Sequence, residues 1–154
     1  MDELLNPDEF KIDSFFSGGT IHQSLITNNG EKNINDLIQY LIKPIKYFDE
    51  RKKKNIQVNK ALTINQLRKF YDSFLNIYNI KANENEKKIQ LLMLKANADY
   101  SAKRLVTNRF KIVLANRIDL IVKESGEDFK KNLNAFKLHF EALVAYYPKE
   151  SKEE

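Results

Sequence analysis

An all-α fold, a compact bundle of about five helices with no sheet and an irregular N-terminal appendage, is predicted by three observations on this 154-residue chain. Apolar residues recur mostly three and four apart rather than in alternation, the spacing of one face of a helix. Only four glycines and three prolines punctuate them. Thr63 and Gln66 have the spacing of a capping box, in which the threonine hydroxyl accepts from the Gln66 N–H and the glutamine side chain reaches back to the cap, so a helix begins there.

Taken in order, residues 1–33 read as a variable appendage: Phe15-Phe16 precede Ser17-Gly18-Gly19, and Asn28-Asn29-Gly30 is a turn signal. The bundle is expected over 34–148 and a charged tail over 149–154. Ile34, Leu37, Ile38, Leu41 and Ile42 mark a short helix, after which Pro44 suits the first position of another turn or two ending near Lys54. Ile56 to Leu62 then crosses to the capped helix, whose stripe is Leu67, Phe70, Tyr71, Phe74, Ile77 and Tyr78. From Glu84 to Leu105 the pattern has two apolar faces, Ile89, Leu92, Met93, Ala96 and Tyr100 on one side and Leu91, Leu94, Ala98, Ala102 and Leu105 on the other. A helix apolar on both sides is expected at the centre of its bundle. Phe110, Val113, Leu114, Ile118 and Ile121 mark the next helix, with Gly126 as the residue just past its end. A last helix shows Phe129, Leu133, Phe136, Phe140, Leu143 and Tyr147, stopped by Pro148. Its reverse side, Ala135, Leu138, Ala142, Ala145 and Tyr146, is either more core or a docking surface for another subunit. Leu138, Ala142 and Tyr146 are the interface candidates.

Composition removes several function classes. There is no cysteine, which excludes disulfides, zinc–thiolate sites and thiol nucleophiles. The first ten residues carry Asp2, Glu3, Asp8 and Glu9 without a cation, unlike a secretory leader, and no apolar run reaches membrane length. A cytoplasmic setting with no membrane contact is expected. His22 and His139 have no ligand-spaced partners, and no phosphate loop, nucleophile elbow or zinc-binding motif is present, so no catalytic residue, metal or cofactor is assigned. His139 reads as a packed helix residue, and Arg117, amid an apolar stripe, as a paired structural arginine at an interface or core edge, with RNA binding as the second reading. Asp99 and Lys103 are spaced as an intrahelical pair, and Asp99 is one turn from Lys95 as well.

The net charge of +5 is unevenly placed: nine cations against two acids lie between Lys43 and Lys69. Such a block suits a polyanion, above all a nucleic acid. Arg51, Lys52 and Lys53 form its densest part, although a basic run at a helix end is also favourable for the helix dipole alone. Arg68 sits at the edge of its helix stripe and Lys69 faces away from it.

Three segments, Leu62-Thr63-Ile64-Asn65-Gln66-Leu67-Arg68-Lys69-Phe70-Tyr71, then residues 91–104, then Phe136-Lys137-Leu138-His139-Phe140-Glu141-Ala142-Leu143-Val144-Ala145-Tyr146, together resemble the small helical subunit of the type III-A CRISPR (Csm) interference complex. The first block of that family typically reads Thr-Thr-x-Gln-hydrophobic-Arg-Lys/Asn-Phe-Tyr, matched here by Thr63, Gln66, Leu67, Arg68, Lys69, Phe70 and Tyr71. In the second, Leu94, Lys95, Tyr100, Ala102 and Arg104 match, while Ala96, Asn97 and Asp99 replace a proline, a lysine and an alanine. The likeness runs from about residue 60 to 147. It implies a non-catalytic subunit, several copies of which stack as an inner filament beside the backbone subunit, with guide RNA and target RNA held through shape and phosphate contacts. Target cleavage would then belong to the backbone subunit, and DNase and cyclic-oligoadenylate chemistry to the large subunit. The RNA-binding candidates are Arg51, Lys52, Lys53, Arg68, Lys69, Lys95, Lys103 and Arg104. The alternative is a stand-alone helical adaptor whose charges only solvate its faces.

Overall fold

The computed structural model describes residues 8–43, 45–59, 61–102 and 108–148. Five helices dominate: α1 (Ile34–Ile42), α2 (Ile64–Asn79), α3 (Glu84–Ala102), α4 (Asn108–Val122) and α5 (Gly126–Tyr146). Two short antiparallel hairpins join them, β1 (Phe16–Ser17) with β2 (Thr20–Ile21), and β3 (Ile45–Asp49) with β4 (Lys54–Asn59). In the bundle α2 lies against α3 and α5, α4 against α3 and α5, and α1 against α4 and α5.

The helix starts follow local chemistry. Thr63 caps α2 as its spacing predicts, with Gln66 N–H donating to Oγ1 at 3.1 Å and Thr63 N–H donating to Gln66 Oε1 at 3.0 Å. Asn33 and Asp36 make an equivalent box on α1, unremarked in the sequence. Gly126 has the left-handed φ of +61° that favours glycine, but α4 ends at Val122 and Gly126 heads α5 instead of closing α4.

The segment from Ile45 to Asn59 corrects the helical reading after Pro44: it is a hairpin. Asp49 is the reason. Its carboxylate accepts from the Arg51 N–H at 2.9 Å and the Lys52 N–H at 3.3 Å, and its carbonyl accepts from the Lys53 N–H at 2.7 Å. Lys53 takes a φ of 56°, which closes the turn and brings Lys54 opposite Asp49. Arg51, Lys52 and Lys53 therefore crown a hairpin tip and do not end a helix.

A second correction concerns α3. It buries one face, Leu91, Leu94 and Ala98, and leaves Ile89, Leu92, Met93 and Tyr100 exposed, so it is an outer helix and not a central one.

The core is built around aromatic rings from three sequence regions. Phe136 meets Phe74 edge-on at 4.9 Å between centroids, Phe140 at 5.4 Å and Phe15 at 6.2 Å. Phe10, Phe15 and Leu25 are all buried, so residues 8–33, irregular as expected, contribute side chains to the main core. Arg117 anchors them. This side chain is only 1% exposed, donates to the Phe10 carbonyl and to Asn116 Oδ1, and points Nε–H at His139 Nε2 3.3 Å away. His139 accepts that bond and donates from Nδ1 to the Leu25 carbonyl at 2.7 Å, which defines the neutral tautomer. Both residues are thus structural, as the sequence predicts, although Arg117 is matched by neutral acceptors in place of a carboxylate.

Two stability measurements follow. Phe136→Ala should cost about 3–5 kcal/mol in urea unfolding, the range for emptying an aromatic site in a packed core. Burial, then the Arg117 charge, pushes the His139 pKa down to about 3 from an ordinary 6.5. The unfolded chain therefore binds a proton that the folded one refuses, and stability falls as pH drops from 6.5 to about 3, by at most about 1.4 kcal/mol per pH unit from this group. Unfolding free energies of wild type and His139→Gln between pH 7 and 4 should show the shallower dependence in the variant; parallel curves would remove His139 as a source of acid sensitivity.

Candidate nucleic-acid interface

Two surface regions carry the cations expected to meet a polyanion. The first is the β3–β4 tip, where Arg51, Lys52 and Lys53 are exposed and adjacent because the Asp49 turn folds the backbone back on itself. The second is α2, where Leu67, Phe74 and Ile77 occupy the core and turn Arg68 and Lys69 outward. All five side chains are free of ion pairs among the described residues. That leaves five charges available to an outside partner.

Lys95 is placed differently. Its ammonium lies 2.7 Å from Asp119 Oδ1 on α4, while Asp99 pairs with Lys111 at 3.3 Å. Lys95 thus pairs across to α4 and not with Asp99 one turn along its own helix, because α3 and α4 pack side by side. Lys95 therefore spends its charge inside the chain. Lys103 and Arg104, with the proposed Asp99–Lys103 pair, lie outside the described residues.

The reverse side of α5 divides between core and surface. Ala135 is buried and Ala142 half-buried against the core, whereas Leu138 and Tyr146 are 42% and 46% exposed. Leu138 lines an open groove of about 760 Å³ with Phe16, Ile21 and Leu120, beside the β1–β2 turn at Gly18-Gly19. The three interface candidates thus sit on one face, with Ala142 its inner member.

Arg109 was not singled out by the sequence. It is buried, donates to the Tyr40 carbonyl at 3.1 Å and stacks over the Tyr40 ring at 4.4 Å, so it fastens α1 to α4. Its place four residues before Val113, on the edge of the α4 stripe, was the available signal. Among the described residues no group of acids and histidines is arranged to hold a metal ion, and no helix is long and apolar enough to cross a membrane.

Comparison with known proteins adds the family. The model for Csm2 Type III-A matches residues 46–153, which takes in the β3–β4 hairpin and α2 to α5. No curated protein and no solved structure matches the chain. A match over more than two-thirds of the sequence, taking in the capped helix and the bundle behind it, establishes that the chain belongs to the Csm2 Type III-A family, the small subunits of the type III-A CRISPR complex.

Proposed function

We propose that this chain is a non-catalytic RNA-holding subunit: several copies line the inside of the complex as a filament, and their cations contact guide RNA and target RNA. The observation that carries the proposal is the set of five unpaired exposed cations, Arg51, Lys52, Lys53, Arg68 and Lys69, on a chain of net charge +5. Phosphates would be drawn to them by counterion release without any reading of base sequence. Lys103 and Arg104 belong to the proposal by family resemblance alone, and Lys95 is its weakest member because Asp119 already neutralises it. The backbone and large subunits are the partners, with further copies of the chain, and the exposed face of Leu138, Ala142 and Tyr146 is proposed as a subunit contact.

The non-catalytic part of the reading is supported by what His139 does in the fold. Both ring nitrogens are engaged and the imidazole is held neutral to about pH 3, so it is unsuited to exchanging protons with a substrate near neutrality.

The RNA reading predicts weak, sequence-tolerant and salt-dependent affinity. Arg68→Ala with Lys69→Ala should lower affinity for unrelated RNA sequences by similar factors and flatten the log-affinity versus log-salt slope by about 0.7 per lost contact with single-stranded RNA. An unaltered slope at unchanged helicity would return these residues to an ordinary solvated face. The assembly reading predicts that Leu138→Glu reduces incorporation into the reconstituted complex while far-UV circular dichroism stays the same. Purified protein with magnesium or manganese should cut neither RNA nor DNA; cleavage that co-purifies with the chain and vanishes on a single acidic or histidine substitution would contradict the non-catalytic role.

A further inference from the structure

The buried guanidinium of Arg117 has more donors and more charge than its hydrogen bonds within the fold use. Nε and Nη1 bond to His139, the Phe10 carbonyl and Asn116, while Nη2 makes no hydrogen bond among the described residues. No described acid lies within ion-pair distance of the group either. Burial lowers its pKa only to about 9, so it remains a cation at neutral pH. Arg117 also lines a cavity of about 70 Å³. The described wall of that cavity adds Lys11, Lys32 and the Ser24 hydroxyl, and it contains no acid. Lys11 pairs with Asp8 at 3.1 Å, but both partners are exposed and such a pair is weak. Lys32 makes no ion pair among the described residues; its ammonium donates to the Glu9 carbonyl at 2.7 Å and lies over the Phe10 ring. His139, on the same wall, presents no free lone pair, since Nε2 accepts from Arg117 and Nδ1–H is given to the Leu25 carbonyl.

We propose that this cavity binds a small inorganic anion of chloride's size, held by the Nη2 donors of Arg117 together with Lys32, Lys11 and the Ser24 hydroxyl. A water molecule could satisfy the leftover donors but not the charge. An anion does both, and a charge-assisted hydrogen bond to a buried guanidinium is stronger than a neutral one. Three cations around one small space without an acid also repel one another, and an anion among them turns that repulsion into attraction.

The size of the cavity selects the ligand. A water molecule takes roughly 30 Å³ in the liquid, so about 70 Å³ holds one halide ion with a water beside it. Sites for organic ligands run to roughly 300–1,000 Å³, which excludes a nucleotide. The position of the cavity gives the anion a structural task. Arg117 belongs to α4, within the region matched by the family model, whereas Lys11, Ser24 and Lys32 all precede that region. A bound anion would therefore tie the N-terminal segment to the bundle at the point where Arg117 already holds the Phe10 carbonyl. The inference uses neither the RNA contacts nor the subunit contacts of the reading above.

The test is thermal unfolding of the purified chain, free of RNA, in about 150 mM sodium chloride and in sodium gluconate of the same ionic strength. Gluconate is too large for the cavity. The midpoint should be higher in chloride by about 3 °C, and bromide should act like chloride. Lys32→Gly removes one of the cations without straining the backbone, because Lys32 has a φ of 51° that glycine adopts freely. That variant should match wild type in gluconate and lose most of the chloride increment, while Lys130→Ala, an exposed lysine outside the cavity wall, should keep it. Chloride binding is read directly from the chloride NMR line, which wild type should broaden several-fold more than Lys32→Gly at equal concentration. Equal midpoints in chloride and gluconate, an increment that Lys32→Gly largely retains, or equal broadening by the two proteins would overturn the site. None of these outcomes touches the RNA reading, whose salt slope is measured on Arg68 and Lys69.

Discussion

Arg117 holds the molecule together at its most expensive point. A guanidinium 1% exposed has given up its hydration, and burial alone pushes its pKa down to about 9 from 12.5. The compensation comes from oriented neutral groups, the Phe10 carbonyl, Asn116 Oδ1 and His139 Nε2. Two of these acceptors lead on to the N-terminal segment: Phe10 belongs to it, and His139 reaches Leu25 from its other nitrogen. Asn116 adds a reciprocal pair with the backbone of Ile12, N–H to Oδ1 and Nδ2 to O, both at 3.1 Å. Residues 10–25 are thus fastened to α4 and α5 by hydrogen bonds from Arg117, Asn116 and His139. Deleting a partner would leave a buried charge or acceptor unmatched, which is why the segment behaves as core despite its irregular backbone.

What was legible in the sequence was what is decided within a few residues. The Thr63–Gln66 box and the stripes of α2, α4 and α5 are local patterns, and they appear where expected. The β3–β4 hairpin was missed because Pro44 suits a helix start as well as an extended entry, and Ile56-Gln57-Val58 alternates over too few residues to outweigh it. Asp49, two and three residues before the amides it caps, was the decisive signal. The outer place of α3 could not be read from its own pattern, since apolar residues recur on both of its faces. The same ambiguity on α5 resolved residue by residue, Ala135 inward and Leu138 outward. For the candidate site, exposure of the hairpin and α2 cations was readable from the wheel, but the pairing of Lys95 with Asp119 depends on how two helices lie together.

The surface chemistry separates by region. Between α3 and α4 opposite charges satisfy one another across a groove, leaving its field weak and its apolar floor accessible. At the β3–β4 tip and on α2 the cations make no ion pair among the described residues, and their field extends into solvent. A subunit of a ribonucleoprotein needs both kinds of surface, because protein contacts favour neutral apolar area and phosphate contacts favour unpaired positive charge. Under the proposed function the division is also a division of labour: Arg51, Lys52, Lys53, Arg68 and Lys69 toward RNA, the outer face of α5 toward protein.

That division is tested most directly by amine labelling of the reconstituted complex, with lysine modification read by mass spectrometry before and after the RNA is removed. The account predicts that Lys52, Lys53 and Lys69 are several-fold less reactive in the RNA-loaded complex and regain reactivity when the RNA is digested or displaced by high salt, while Lys95 changes little because Asp119 holds it in both states. Equal reactivity of Lys52, Lys53 and Lys69 with and without RNA would contradict it.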